Sequence, residues 1–378
     1  MTTGTSIQLK YLLLHFIFVI FTMQQNTFLL YGANGYSGKL IARFAHQYGL
    51  RPILAGRNRQ TITALAAELQ LDYRIVDLND KPALENALQD VKLVVNAAGP
   101  YDFTAKPMID ACMTTHTHYI DLNGDLDVFE MMQSYNAAAL QKDIMILPGA
   151  GFDVVPTDCL SLFLKNKMPG AIQLEIAFAI IGSGLSRGTS ITTLQKLGMP
   201  GAIRKEGKIQ PEPVGLRGMW VTFPAYGEKS FVMSIPWGDI STAWFSTGIP
   251  NIITYTGISK ATWIFLKFQP LFNWLLRTGF VRGIITKIIN SKSPGPDDAR
   301  RDKAVSLIRG TVTGADGKTV TAFMRCPEAY SLTAYSTLLI AQKILQGLYR
   351  PGYQTPASAY GADLVMEIAG VERQVQDA

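Results

Sequence analysis

Cysteine is scarce in this 378-residue chain: Cys112, Cys159 and Cys326 are the only three, and no two stand as CxxC. An odd trio without metal spacing excludes a disulfide framework and fits a reducing, cytoplasmic compartment. Histidine is nearly as rare; of the four, His116 and His118 stand two apart with no third ligand near, so no metal is expected. Charged residues make up only 17%, and the net charge of +6 is dispersed along the chain. Without an aromatic-rich basic run, no nucleic-acid partner is expected. Internal repeats and low-complexity linkers are missing, and 48% hydrophobic residues place the chain among folded proteins. The N-terminal apolar run Tyr11–Met23 is shorter than the ~20 residues that cross a bilayer, and no small-x-small cleavage site follows it. Met23 is therefore expected to be the working start. Residues 1–26 read as a non-structural extension, with a weak interfacial segment as the alternative.

From Thr27 onward short apolar runs alternate with amphipathic ones. Phe28–Tyr31, Pro52–Ala55, Tyr73–Val76, Lys92–Asn96, His118–Asp121 and Ile144–Leu147 read as strands. Ser37–Tyr48, Gln60–Leu69, Lys81–Leu88, Pro107–Met113 and Asp127–Leu140 read as helices between them. Continuous apolar strands separated by amphipathic helices predict an α/β fold: a doubly wound parallel sheet of the Rossmann type over 27–156. After Pro156 the rhythm changes. Ile172–Ile181, Trp220–Phe223, Phe231–Ile235, Val305–Thr313 and Thr319–Arg325 predict a second α+β domain over 157–330, with a mixed or antiparallel sheet. A closing helix over Tyr330–Gln346 and the tail to 378 are expected to pack back on the first domain.

The first strand runs directly into Gly32-Ala33-Asn34-Gly35-Tyr36-Ser37-Gly38, and a helix follows. That context turns a glycine pattern into a dinucleotide site, with a pyrophosphate held by the free amides of a helix N-terminus. Gly32, Asn34, Gly35, Tyr36, Ser37 and Gly38 are the expected contacts. The second strand ends in Gly56-Arg57-Asn58-Arg59, where NAD enzymes place a carboxylate for the ribose 2′-hydroxyl. A carboxylate would repel a 2′-phosphate, whereas a guanidinium pairs with it, so NADP is the expected cofactor. Arg57 is the expected clamp, with Asn58 and Arg59 as helpers. Asp77, Ala98, Gly99 and Pro100 complete the expected cofactor contacts.

Further along stand Val94-Val95-Asn96-Ala97-Ala98-Gly99-Pro100-Tyr101, then His118-Tyr119-Ile120-Asp121-Leu122-Asn123-Gly124-Asp125 and Gly151-Phe152-Asp153-Val154-Val155-Pro156-Thr157-Asp158. In that order and spacing the series resembles the saccharopine dehydrogenase-like oxidoreductases, trans-acting enoyl reductases included. The resemblance is strong from Thr27 to Asn166 and resumes at Gly184–Thr189, Gly295-Pro296 and Gly352–Gly361. It implies an NADP-dependent oxidoreductase. True saccharopine reductases carry a DPGxDH-like segment, and here Asp158-Cys159 stands where Asp-His would. The resemblance thus points toward a hydrophobic enoyl or carbonyl substrate. A saccharopine-type imine reductase and a non-catalytic NADP-binding or lipid-surface protein are the alternatives.

Ligands of open parallel sheets bind beyond the carboxyl ends of the strands, where Tyr101, Asp121 and Asp153 fall. Tyr101 is the expected proton or hydrogen-bond donor, with a packing aromatic as the other reading. Asp121 and Asp153 are candidates for the same step, or loop-organising carboxylates. Thr189 is expected to cap a second-domain helix, and Arg187 either orients a substrate anion or makes a surface ion pair.

Between Asp239 and Asp297 there is no acidic residue, while Trp263–Phe268 and Leu271–Arg277 interleave aromatics with cations. Pro270 and Gly279 interrupt this insertion, placed at 250–292, so no spanning helix is expected. Two readings stand: peripheral contact of 260–290 with an anionic membrane, or a helix pair packed in a homodimer or between domains.

Overall fold

The computed structural model describes residues 26–376, apart from 197, 225–226, 269–273, 275–277 and 292. The N-terminal extension, and most of Leu271–Arg277, lie outside the described residues. Two sheets organise the rest.

The first sheet is parallel throughout, in the order β15-β6-β5-β4-β1-β2-β3. Its strands are β1 (Thr27–Tyr31), β2 (Arg51–Gly56), β3 (Tyr73–Ile75), β4 (Leu93–Asn96), β5 (His118–Asp121), β6 (Met145–Leu147) and, from the far end of the chain, β15 (Gly352–Tyr353). Six strands are visible in the first part of the sequence; the seventh is two residues long, too short to carry an apolar period. Phe28, Leu29 and Leu30 in β1 are fully buried. Successive side chains there point to opposite faces, and both faces are covered, so the strand is apolar from Phe28 to Tyr31. Burying each such side chain contributes about 1.5–3 kcal/mol.

The second sheet is mixed. Its main path is β10 (Gly218–Phe223), β11 (Glu228–Ile235), β12 (Asn251–Gly257), β7 (Ala171–Ile181), β13 (Val305–Gly314), β14 (Thr319–Pro327) and β16 (Glu372–Gln376). A hairpin of β8 (Gly201–Lys205) and β9 (Lys208–Glu212) pairs with β12. Only β12 and β7 run parallel; the other pairs are antiparallel. Here the sequence reading needs correcting. Asn251–Gly257, counted with the insertion, is a strand beside β7 with Ile252, Ile253 and Tyr255 buried. A short apolar run without polar alternation does not reveal which neighbour will cover it.

The second domain is tied to the first at the helix after β1 and at the loop after β6. The helix Ala329–Leu345 packs on the helix Tyr36–Phe44. The Trp237 indole N–H donates to the Asp153 carbonyl at 2.8 Å.

Candidate active site

The glycine loop is shaped by contacts that only glycine permits. Gly32 has φ +80°, and a Cβ there would lie 2.8 Å from the backbone of Ala97 and Ala98 on the neighbouring strand's exit. At Gly38 a Cβ would meet the Gly32 carbonyl and lie 2.9 Å from Ala33 Cα, so helix and loop pack backbone to backbone. Gly35 caps the helix Tyr36–Phe44 without a side-chain bond. The amides of Tyr36, Ser37 and Gly38 have no partner among the described residues. Three first-turn N–H groups at a helix N-terminus suit a pyrophosphate. Asn34 is exposed beside Gly56, between the loop and the end of β2.

Beyond β2, Arg57 is exposed and makes no hydrogen bond or ion pair among the described residues. Asn58 is partly committed: its side-chain oxygen accepts the Thr61 amide at 3.1 Å and caps the helix Arg59–Leu69. Asp77 folds its own turn, its Oδ1 accepting both N–H groups of Asn79 at 2.9 Å. Tyr36 turns its side chain away from the loop's open face. Its hydroxyl donates to the Pro296 carbonyl at 2.5 Å and accepts from Arg301, and its ring meets Tyr330 edge-on at 4.9 Å. Tyr36 is thus left to face a pyrophosphate through its amide only.

Past β4, Ala98 and Pro100 are half-buried and Gly99 is exposed, leaving room for a flat ring. Underneath runs a buried network. The Tyr119 hydroxyl donates to Asp121 Oδ2 at 2.7 Å and receives the Asn96 amide at 3.3 Å. Asp121 Oδ1 accepts the amides of Asn123 and Gly149, both at 2.9 Å. Every oxygen of Asp121 is occupied, so it fixes the loops after β5 and β6. Burial nevertheless lifts its carboxyl to about 6. The Tyr101 hydroxyl donates to the Asn96 carbonyl at 3.3 Å. Burial, with Asp121 close by, pushes that phenol well above its ordinary range. It remains a hydrogen-bond donor but gives up its proton reluctantly.

Asp153 differs. It lies at the loop after β6, against Gly124, where a Cβ would come within 2.6 Å of its Oδ2. Its carboxyl is partly buried and has no hydrogen-bond partner among the described residues. Burial raises it to about 7. Of the three candidates it alone is uncommitted.

The opposite wall belongs to the second domain. The helix Arg187–Lys196 is capped by Ser186, whose Oγ accepts the Thr189 amide at 3.2 Å. Thr189, expected as the cap, sits one turn inside and bonds the Tyr330 hydroxyl at 3.0 Å. Tyr330 also receives the Ser186 amide at 2.6 Å. Lys196 closes onto Asp125 of the nucleotide domain. The roles of Tyr119, Lys196, Trp237 and Tyr330 were invisible in the sequence, where each reads as an ordinary strand or helix residue.

Below the cleft, Asp239 is fully buried and neither carboxyl oxygen finds a hydrogen-bond partner among the described residues. Burial, with Asp158 and Asp153 nearby, raises it well above the usual carboxylate range. The folded state therefore holds a proton that the unfolded chain releases above about pH 4, and stability falls as pH rises from there. Asp239→Asn should match the native protein in thermal unfolding at pH 4 and exceed it at pH 8 by about 1–3 kcal/mol. An equal gain at both pH values would show that titration is not the cause.

Residues 28–147 match the family described as the saccharopine dehydrogenase NADP binding domain. The chain is 27% identical over 200 residues to the saccharopine dehydrogenase-like oxidoreductase of Mus musculus, covering 46% of this chain and 47% of that protein. It is 29% identical over 189 residues to a Mycobacterium tuberculosis protein assigned provisionally as a trans-acting enoyl reductase, covering 47% and 45%. It is 25% identical over 218 residues to a lipid droplet localized protein of Caenorhabditis elegans, covering 51% and 50%. The chain thus spans about half the length of the curated relatives it matches. An apo saccharopine dehydrogenase (L-Glu forming) from Saccharomyces cerevisiae superposes with a TM-score of 0.65 at 15% identity, over 93% of this chain and all of that one (100%), a likeness of fold. Among the described residues no group of three or more His, Cys, Asp or Glu is placed to hold a metal.

Proposed function

We propose, from the match of residues 28–147 to the saccharopine dehydrogenase NADP binding domain, that the chain reduces a neutral, apolar enoyl or carbonyl compound at the expense of NADPH. The observation that carries this reading is the character of the cleft. Among the described residues Asp153 is a cleft carboxyl without a hydrogen-bond partner, while Lys196 is bridged to Asp125 and Arg301 is held by Tyr36 and Asp298. A dicarboxylate would find repulsion there in place of pairing. An apolar acyl chain would meet the half-buried Trp237, whose ring lies 4.8 Å from the core residue Phe178. The provisional enoyl reductase among the relatives supports the same substrate class.

The fit to the cofactor rests on the three free amides and on Arg57. Tyr36, Ser37 and Gly38 would hold the pyrophosphate and Arg57 the 2′-phosphate. NADPH, when bound, supplies a hydride. The protein then has to orient the acceptor and deliver one proton. Tyr101 hydrogen-bonds the substrate oxygen in exchange for the Asn96 carbonyl. Asp153, protonated below about pH 7, is the proton donor.

The test is NADPH oxidation with a panel of acyl thioesters, apolar ketones and oxo-acids, the last with and without an amino-acid partner. Turnover is expected with the first two classes. Turnover confined to an oxo-acid plus amino acid would replace this reading with imine reduction, and none with any class would favour a non-catalytic role.

A further inference from the structure

Away from the cleft, the helices Lys260–Lys267 and Gly279–Ser291 turn large apolar side chains outward, and neither contains a buried residue. Phe265 is 69% exposed and Phe280 78%. Phe280, Ile284 and Ile288 recur every fourth residue, so they form one stripe along their helix, and all three are exposed. One position on, Val281, Ile285 and Ile289 are half-buried, and this helix packs against the wall helix Arg187–Lys196. The helix Lys260–Lys267 is also fixed. The Trp263 indole N–H donates to the Gly215 carbonyl at 2.7 Å, its ring lies 4.9 Å from Phe231, and the Lys267 ammonium sits 4.1 Å over it. On the other side of Phe231, at 5.4 Å, stands Trp220, 56% exposed on the edge strand β10. Exposed aromatic and aliphatic side chains on helices held in place by packing mark an interaction surface.

Charge identifies the occupant. The interval between Asp239 and Asp297 holds Lys260, Lys267, Arg277, Arg282, Lys287 and Lys292 and no acid. A second copy docked about a two-fold axis would set these two acid-free helices against their own copies, like charge to like charge. An anionic bilayer satisfies both characters, taking the aromatics into its headgroup boundary and the cations against its phosphates. Neither helix can cross one: 13 residues reach about 20 Å, short of a ~30 Å core. No helix among the described residues is long and apolar enough to span. We propose that the helices Lys260–Lys267 and Gly279–Ser291 dock the protein peripherally on an anionic lipid surface. Docking sets the wall helix, and with it the mouth of the cleft, beside the acyl region.

Flotation of the full chain with vesicles tests this, using phosphatidylcholine alone and phosphatidylcholine mixed with phosphatidylglycerol, at low and high salt. The protein should float with the mixed vesicles at low salt and far less with the neutral ones. Phe265→Ser with Phe280→Ser should lower partitioning by about tenfold or more and leave NADPH affinity unchanged. Lys267→Glu with Lys287→Glu should abolish the preference for anionic lipid. No flotation of the native chain at low salt overturns the proposal. So does full flotation of the aromatic double variant, which would locate binding elsewhere in the chain, or a solution dimer that this variant dissociates.

Discussion

Asp153→Asn should lower turnover of the reducible substrate by about 10²–10⁴-fold, the range for removing a positioned proton donor. Asparagine keeps the shape beside Gly124 and cannot deliver the proton, so NADPH affinity and folding should be unchanged or slightly improved. In the native enzyme the acid must be protonated to act. Since burial raises Asp153 to about 7, kcat/KM should be level below neutrality and fall as pH rises through that value. Tyr101→Phe, by contrast, removes a hydrogen bond to the Asn96 carbonyl and a substrate contact, with an expected loss of about tenfold or less. Reversed magnitudes, Tyr101→Phe crippling and Asp153→Asn mild, would transfer the proton to the phenol. Steady-state rates of both variants across pH 5–9 decide it.

Arg57→Ala should weaken NADPH binding by about 1.5–3 kcal/mol, on the order of 10- to 150-fold, and leave NADH nearly untouched. The side chain is exposed, next to the cofactor loop and without a hydrogen bond or ion pair among the described residues, so its truncation leaves the packing of the fold unchanged. Titration calorimetry with both nucleotides is the check. Equal losses would mean that Arg57 steadies the turn and that the 2′-phosphate is recognised elsewhere. Asn58 would be a poor substitute, since its oxygen is fixed on Thr61.

Much of this was legible in the chain itself, for physical reasons. The nucleotide sheet is parallel and covered on both faces, so Phe28–Tyr31 in β1 and Leu93–Val95 in β4 are continuous apolar runs that a reading of period detects. Gly32 and Gly38 announce themselves because no other residue tolerates their contacts. The absent carboxylate after β2 is a matter of one position. What stayed hidden depends on partners far away in sequence. β12 looks like the helices that follow it, because Asn251–Gly257 is apolar for its place beside β7. The difference between Asp121 and Asp153 lies in Tyr119, Gly149 and Gly124, which determine which carboxylate is occupied. Side-chain type cannot express that. Ser186 displaced Thr189 as the cap because both residues suit the position chemically and only the backbone path chooses.

The two-residue strand β15 has a consequence for how this protein is made. Gly352 and Tyr353 pair with Met145 and Ile146, and the Tyr353 ring is fully buried among side chains of the nucleotide domain. During synthesis the first six strands emerge early, yet β6 keeps an open edge until residue 353 has cleared the ribosome. An unpaired edge is a template for pairing with other chains. The nucleotide domain is therefore among the first parts begun and among the last completed. A fragment ending near residue 156 would carry every cofactor-binding residue assigned above and still leave that edge bare.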